Sequence, residues 1–402
     1  MVRRSTDALS EDVRPQGTNS MDAILKATRD PRIDVMRGLA LLMIFIDHLP
    51  GNTLGFFTMH VFGFADAAEV FVLLAGFASM LAYGKVLLRS PPVVGLRRLA
   101  LRCLRIYATH AGLLLATLAI VQAWSDLFRV APVLAAPLLD AGLPGLLRGL
   151  ALQALPGYLD ILPLYVVLLA CFPLLFWAMR RNVWAAMAGS AAIWLATQFD
   201  HRLNFPNWLD PGGWYFDPFA WQFLFAIGAA LALCMSRQGG DLPRRPWLTA
   251  LCWTYLGFAL LQTFPWQEWH LPSLRLVTMA SSDKTHLEVF RILDILALMQ
   301  VIFSARGSRA MARHWTARAF EACGRHSLDI FAFGCLLALL GRLVFRTFGR
   351  SWALQAGVNA SGLVAMCLVA LWLESRARER RQVGAANAVS SPRVSRALQP
   401  RG

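Results

Sequence analysis

The sequence predicts an all-α polytopic membrane protein with about ten transmembrane helices and both termini in the cytoplasm. Three observations lead there. The 402-residue chain is 57% hydrophobic and only 16% charged, whereas soluble domains carry about a quarter of their residues as charges. Its mean hydropathy is +0.49. Its arginines fall in short clusters between apolar runs rather than in one patch. The net charge of +15 is therefore read as loop charge on the cytoplasmic side, and nucleic acid is not expected as a partner. Seven cysteines without a CxxC pair make neither a disulfide framework nor a zinc site.

A span needs about 20 mostly apolar residues. Ten segments qualify: 33–50, 66–88, 100–123, 160–179, 183–199, 217–236, 247–265, 287–305, 326–346 and 353–373. The stretch 131–158 is weaker and reads as re-entrant or interfacial. Residues 1–31 and 377–402 are polar and read as disordered cytoplasmic tails flanking one membrane domain, 32–376. Basic residues mark every second connection. Arg29 and Arg32 precede the first span, Arg97, Arg98, Arg102 and Arg105 lie between the second and third, and Arg180 and Arg181 follow the fourth. Arg237, Arg244 and Arg245 follow the sixth, Arg306, Arg309 and Arg313 the eighth, and Arg376 to Arg381 the last. Residues 51–65 contain no Lys or Arg, as an outer connection should. Arg342, Arg346 and Arg350 break the pattern, as snorkelling side chains or as a site for an anion.

Ionisable groups inside spans are costly and usually functional. The first span, "RIDVMRGLALLMIFIDHLPGN", carries Asp34, Arg37, Asp47 and His48. On a helix Asp34 and Arg37 are neighbours three apart. His48, fourteen residues after Asp34, falls within about 40° of four full turns and about 21 Å further along the axis. Asp47 lies off that stripe. The next stretch, "HVFGFADAAEVFVLLAGF", adds His60, Asp66 and Glu69. Histidine beside carboxylates suits proton transfer near neutrality. The spacing matches no zinc motif such as HExxH, and no metal is expected. Asp34 and Arg37 also suit a structural pair at the interface, and His48 a helix cap.

The pattern of an Asp, an Arg three residues on and a His fourteen residues after the Asp resembles the opening helix of the integral-membrane acyltransferase-3 group. Glu69, the run Phe71 to Leu74 and Ala75-Gly76-Phe77 resemble that group's second pattern, with Ala75 where Ser is usual. Within the group the chain resembles the OpgC family over nearly all its spans. The blocks "FGFADAAEVFVLLAG", "ILPLYVVLL", "FDPFAWQFLFAIG", "DKTHLEVFRILDILAL" and "GRHSLDIFAFGCLLALLG" follow in order. Asp217 stands where Asn is expected and Asp294 where His is expected. A looser likeness to the lysosomal enzyme that acetylates glucosamine of heparan sulfate aligns His60 with an acyl-accepting histidine.

The OpgC resemblance implies an O-acyltransferase of the bacterial inner membrane. It would move a succinyl group from cytoplasmic acyl-CoA to a periplasmic glucan, with no resident cofactor. Arg37, held by Asp34, would meet the donor. His48 would act as general base or acyl carrier, oriented by Glu69 or Asp47, with His60 and Asp66 as further candidates. The free carboxylate of succinyl-CoA calls for a cation, for which Lys284, Arg291, Arg342 and Arg346 are candidates. A transporter or flippase, or a non-catalytic member of a glucan-synthesis complex, are the other classes that fit ten spans with buried charge.

Overall fold

The computed structural model describes residues 21, 23–133, 135–277 and 282–390. Among these residues there is no β-strand, only helices and an isolated bridge between Asn207 and Asp210. In chain order the helices are α1 (Pro31–Asp47), α2 (Ala67–Ser79), α3 (Pro92–Phe128), α4 (Ala136–Asp140), α5 (Gly142–Leu150), α6 (Ile161–Arg181) and α7 (Val183–Phe199). There follow α8 (Pro218–Arg237), α9 (Pro246–Thr263), α10 (Val289–Ser304), α11 (Ser308–Arg313), α12 (Arg318–Arg325), α13 (Ser327–Phe348) and α14 (Trp352–Ser390). A π-helical turn over Met80–Gly84 prolongs α2 to Arg89.

Each of the ten apolar segments is helical. Six helices are long and apolar enough to cross a membrane: α2 with its extension, α3, α6, α8, α13 and α14. The shorter α7 is also apolar. By the same measure α1, α9 and α10 fall short. α1, with 17 residues, and α10, with 16, are short, and α1 also holds Arg32, Asp34, Arg37 and Asp47. The outward faces of several helices are apolar, as at Leu104, Trp184, Leu251, Trp253 and Leu368. Exposed apolar surface on this scale needs lipid or a partner to cover it. The weak stretch 131–158 forms the two short helices α4 and α5.

Both tail boundaries move. Near the N-terminus Met21 and Ile24 are buried, and the Ala27 and Leu25 carbonyls accept from Lys85 Nζ (2.5 Å) and Arg89 Nη2 (3.4 Å). Two apolar side chains and two cations thus fix residues expected in a loose tail. At the other end α14 runs on to Ser390, past the expected boundary at 376. Its Glu374 and Arg378 are four apart and bonded at 3.2 Å, a pairing that favours helix.

The expected single domain divides into two compact units interleaved along the chain. One comprises residues 1–29, 59–122 and 131–306; the other comprises 30–58, 123–130 and 307–402. Within the first unit α2 packs closely on α8. A Cβ on Gly76 would meet the Phe225 carbonyl, and one on Gly228 would meet that of Leu73. Within the second unit α1 crosses α12 in the same way. A Cβ on Gly38 would meet the Phe320 carbonyl, and one on Gly324 that of Asp34. Lipid leaves helices little hydrophobic drive to associate, so small residues that let backbones approach supply the contact. The second unit is completed by α13 and α14, where Asn52 and Asn359 exchange amide hydrogen bonds at 2.8 and 2.9 Å.

Gly324→Ala is expected to lower the unfolding midpoint, because overpacking typically costs about 1–3 kcal/mol. Gly357→Ala, on α14 with nothing near its added methyl, is expected to be neutral or to stabilise by up to about 1 kcal/mol.

Candidate functional site

In the first unit the charged residues gather at the start of α2. Asp66 is its N-cap, and Asp66-Ala-Ala-Glu69 forms a capping box. The Ala68 N–H donates to Asp66 Oδ1 (2.8 Å), and the Asp66 N–H donates to Glu69 Oε2 (2.9 Å). Each carboxylate thus spends one oxygen on the helix end, where the helix dipole favours negative charge. The other oxygens meet cations. Arg291 on α10 donates from Nε to Glu69 Oε1 (2.7 Å) and from Nη2 to Asp66 Oδ2 (3.4 Å). Lys284 pairs with Asp66 Oδ2.

Two carboxylates and two cations balance. Glu69 is wholly buried and Arg291 nearly so, while the Lys284 side chain is 23% exposed. Burial alone would raise the Asp66 pKa, but Lys284 and Arg291 hold it far below the usual carboxylate range. Burial alone would lower that of Lys284, but Asp66 and Glu69 raise it above the usual ammonium value. The cations expected to receive a donor carboxylate are thus already matched by protein carboxylates.

The residues flanking this network hold it in place. Asp294 Oδ2 accepts from the Ala65 N–H (2.9 Å), which fixes the turn before the N-cap. A Cβ at position 63 would collide with the same carboxylate, hence Gly63. Asp217 caps α8 through the Phe219 N–H (2.9 Å). Both departures from the expected family pattern therefore have local structural work. The loop 282–288 presents Lys284 because its backbone is tied down. Trp221 Nε1 donates to the Lys284 and Thr285 carbonyls at 3.2 and 3.1 Å.

In the second unit α1 carries Asp34, Arg37 and Asp47, and His48 is its C-cap with helical φ and ψ. Asp34 is buried and forms an ion pair with Arg325 Nε at 3.9 Å. Arg325 also reaches Glu321 (2.5 Å) and Glu374 (2.8 Å), and Glu374 lies 3.3 Å from His326 Nε2. Arg37 and His48 are half-buried. Asp47, off the stripe, accepts from Thr58 Oγ1 at 2.6 Å, so it holds the turn that follows α1. His60 is exposed on the short 3-10 turn Met59–Val61, in the first unit.

The structure thus joins Asp66, Glu69, Lys284 and Arg291, expected in separate roles, into one network. Sequence reasoning missed Arg325 and Glu374 as partners around Asp34. The "GRHS" block contains Arg325, but its partner lies 291 positions away, beyond any local pattern. It also missed Asp283 and His286. With His201 these are the group among the described residues whose spacing could hold a metal ion.

Among known proteins, a family model described as OpgC protein matches residues 29–378 of the chain. No curated protein and no solved structure matches it.

Arg291→Ala would strand the buried Glu69 carboxylate and is expected to cost about 3–5 kcal/mol, the usual effect of removing one partner of a buried pair. Replacing both, as Glu69→Leu with Arg291→Met, should recover most of that loss. Denaturant titration of the three proteins in mixed micelles checks both expectations.

Proposed function

The chain belongs to the OpgC family, and on that premise we propose that it is an inner-membrane O-acyltransferase that succinylates a periplasmic glucan from cytoplasmic acyl-CoA. Family membership points to a glucan-modifying membrane acyltransferase. In that reading the ten helical segments are ten spans, with both termini cytoplasmic as the arginine clusters require.

The observation that carries the proposal is the unbroken helix α1. It continues from Pro31 to Asp47 and keeps helical dihedrals at His48. Arg37 and His48 then share one side, about 16 Å apart along the axis, as a path from donor to acceptor needs. Arg37, with its planar fork of donors, suits a phosphate of the donor. His48 takes the proton of an acceptor hydroxyl as its oxygen attacks the thioester carbon. The C–S bond then breaks, and the proton passes to the departing thiolate of CoA. Asp34 serves by position, through Arg325.

His48 is favoured over His60 because the end of α1 fixes its backbone, whereas His60 is exposed on a short turn. Asp66 and Glu69 are positioning residues in this scheme, since the helix cap and two cations engage their oxygens.

Mass spectrometry of periplasmic glucans tests the reading. The glucan is expected to lose its acyl mass increment when the gene is deleted. His48→Ala should lower acylation by at least about 100-fold, the lower bound for removing a general base, while the protein stays in the membrane. His60→Ala should retain acylation. Unchanged glucan in the deletion strain would sink the acyltransferase reading; full acylation by His48→Ala would remove only His48 from it.

A further inference from the structure

The loop 282–288 faces two clusters, and the second is unused by the proposed reaction. Its backbone is unusually well held. Gln198 Nε2 donates to the His286 carbonyl (2.8 Å) and Trp194 Nε1 to the Leu287 carbonyl (2.9 Å), both from α7. The Asp217 N–H donates to the Thr285 carbonyl (3.2 Å), and the Glu288 N–H to that of Asp283 (3.1 Å). Asp283 Oδ1 accepts from the Thr285 N–H (2.8 Å).

This frame buries His286, which is 7% exposed. Its Nδ1 lies 2.5 Å from Asp283 Oδ2. An ionised Asp283 makes Nδ1 the donor and leaves the lone pair on Nε2. That nitrogen is buried without a hydrogen-bond partner. His201, on the turn after α7, stacks on the His286 ring with centroids 4.2 Å apart and planes 18° apart. One ligand atom from each of His201, Asp283 and His286 lies within 4.8 Å of the others.

A second orphan lies close by. Asp217 is fully buried. Its Oδ1 caps α8, while its Oδ2 has no hydrogen-bond partner. It is near enough for the charges of His286 and Asp283 to act on it. Buried polar atoms are nearly always satisfied, and each exception calls for a cause. Here a lone-pair nitrogen is unsatisfied beside the Asp283 carboxylate and the exposed His201 imidazole. A cation held among them would relieve it.

We propose that His201, Asp283 and His286 bind a first-row divalent cation, zinc(II) being the best match. Imidazole with carboxylate suits zinc, whereas magnesium and calcium prefer oxygen alone. Binding at Nε2 takes the Asp283 carboxylate off Nδ1, a movement open to a side chain that is 33% exposed. Zinc–nitrogen bonds of about 2.0–2.1 Å bring tetrahedral ligands to about 3.4 Å from one another. The exposed His201 ring closes that gap by turning out of the stack. Asp283-x-x-His286 is separated from His201 by more than eighty residues, so no contiguous zinc motif exists to be read. The site does not depend on the acyl-transfer reading.

The test uses the full chain in detergent, with any affinity tag removed and metal stripped by a chelator. Zinc(II) is titrated in competition with a chromophoric chelator, and bound metal is counted by elemental mass spectrometry. One zinc per chain is expected, weakened by at least the roughly 10–100-fold typical of losing even an outer partner in each of Asp283→Asn, His201→Gln and His286→Gln. His314→Gln, at an exposed histidine elsewhere, should bind like the parent. Cobalt(II) in place of zinc should give visible bands typical of a four-coordinate site, lost in His201→Gln. If His286→Gln fails to fold, His201→Gln carries the test, because its ring sits on an exposed turn. Absence of stoichiometric zinc, or unchanged affinity in His201→Gln, would overturn the proposal and leave a metal-free His–Asp dyad.

Discussion

Glu69 has no exposed surface, and its carboxylate can stay ionised there only because both oxygens are met. One takes the Asp66 N–H and the other the Arg291 guanidinium. Desolvating an ion costs several kcal/mol, and attraction repays it only when geometry and hydrogen bonding are complete. Much of the first unit is arranged to complete them. Asp66 shares Arg291 and adds Lys284. Asp294 holds the turn that sets Asp66 at the helix start. Trp221 holds the loop that delivers Lys284. Removing any one support weakens the case for charge at Glu69, so α2, α8, α10 and the loop 282–288 are mutually constrained.

The second constraint is close approach of backbones. α12 offers little apolar face, three of its eight residues being charged, so its close contact with α1 rests on small residues. Gly38 and Gly324 each sit against the other helix's carbonyl row. Close packing then places Arg325, one residue beyond Gly324, within reach of buried Asp34. The glycine comes first in this argument. Without it the helices separate by roughly the width of a methyl group, and Asp34 loses a cation that water cannot replace. The pairing of motif glycines with neighbouring charges thus follows from packing as much as from chemistry.

The helices were legible because apolar composition is a local property. All ten segments are helical, and the Asp66-x-x-Glu69 spacing already contained the capping box. Pairings between distant segments were not legible. Arg325 for Asp34, Asp294 for the Ala65 amide and Thr58 for Asp47 each depend on how turns and helices meet, which no periodicity encodes. The boundary at 376 failed for a different reason. A basic composition suggested a solvated tail, yet Glu374 and Arg378 are also a good helical pair, and the helix continued. Lys284 and Arg291 were read as open cations because their carboxylate partners lay more than two hundred residues earlier in the chain.

One short loop connects two kinds of charge chemistry. Lys284 turns to Asp66, while Asp283 and His286 turn to His201. The turn over residues 284–287, closed by the Leu287 N–H on the Lys284 carbonyl, lets the four residues 283–286 serve both clusters. Their coupling must run through the loop backbone, because the two sets of side chains share no hydrogen bond among those described. That backbone is pinned by α7 through Trp194 and Gln198 and by α8 through Trp221 and the Asp217 N–H. A loop held at so many points has little freedom to relay a displacement smoothly. It either keeps Lys284 on Asp66 or gives up several hydrogen bonds together. A charge bound on the His286 side therefore acts on Lys284 mainly by making the existing position more secure.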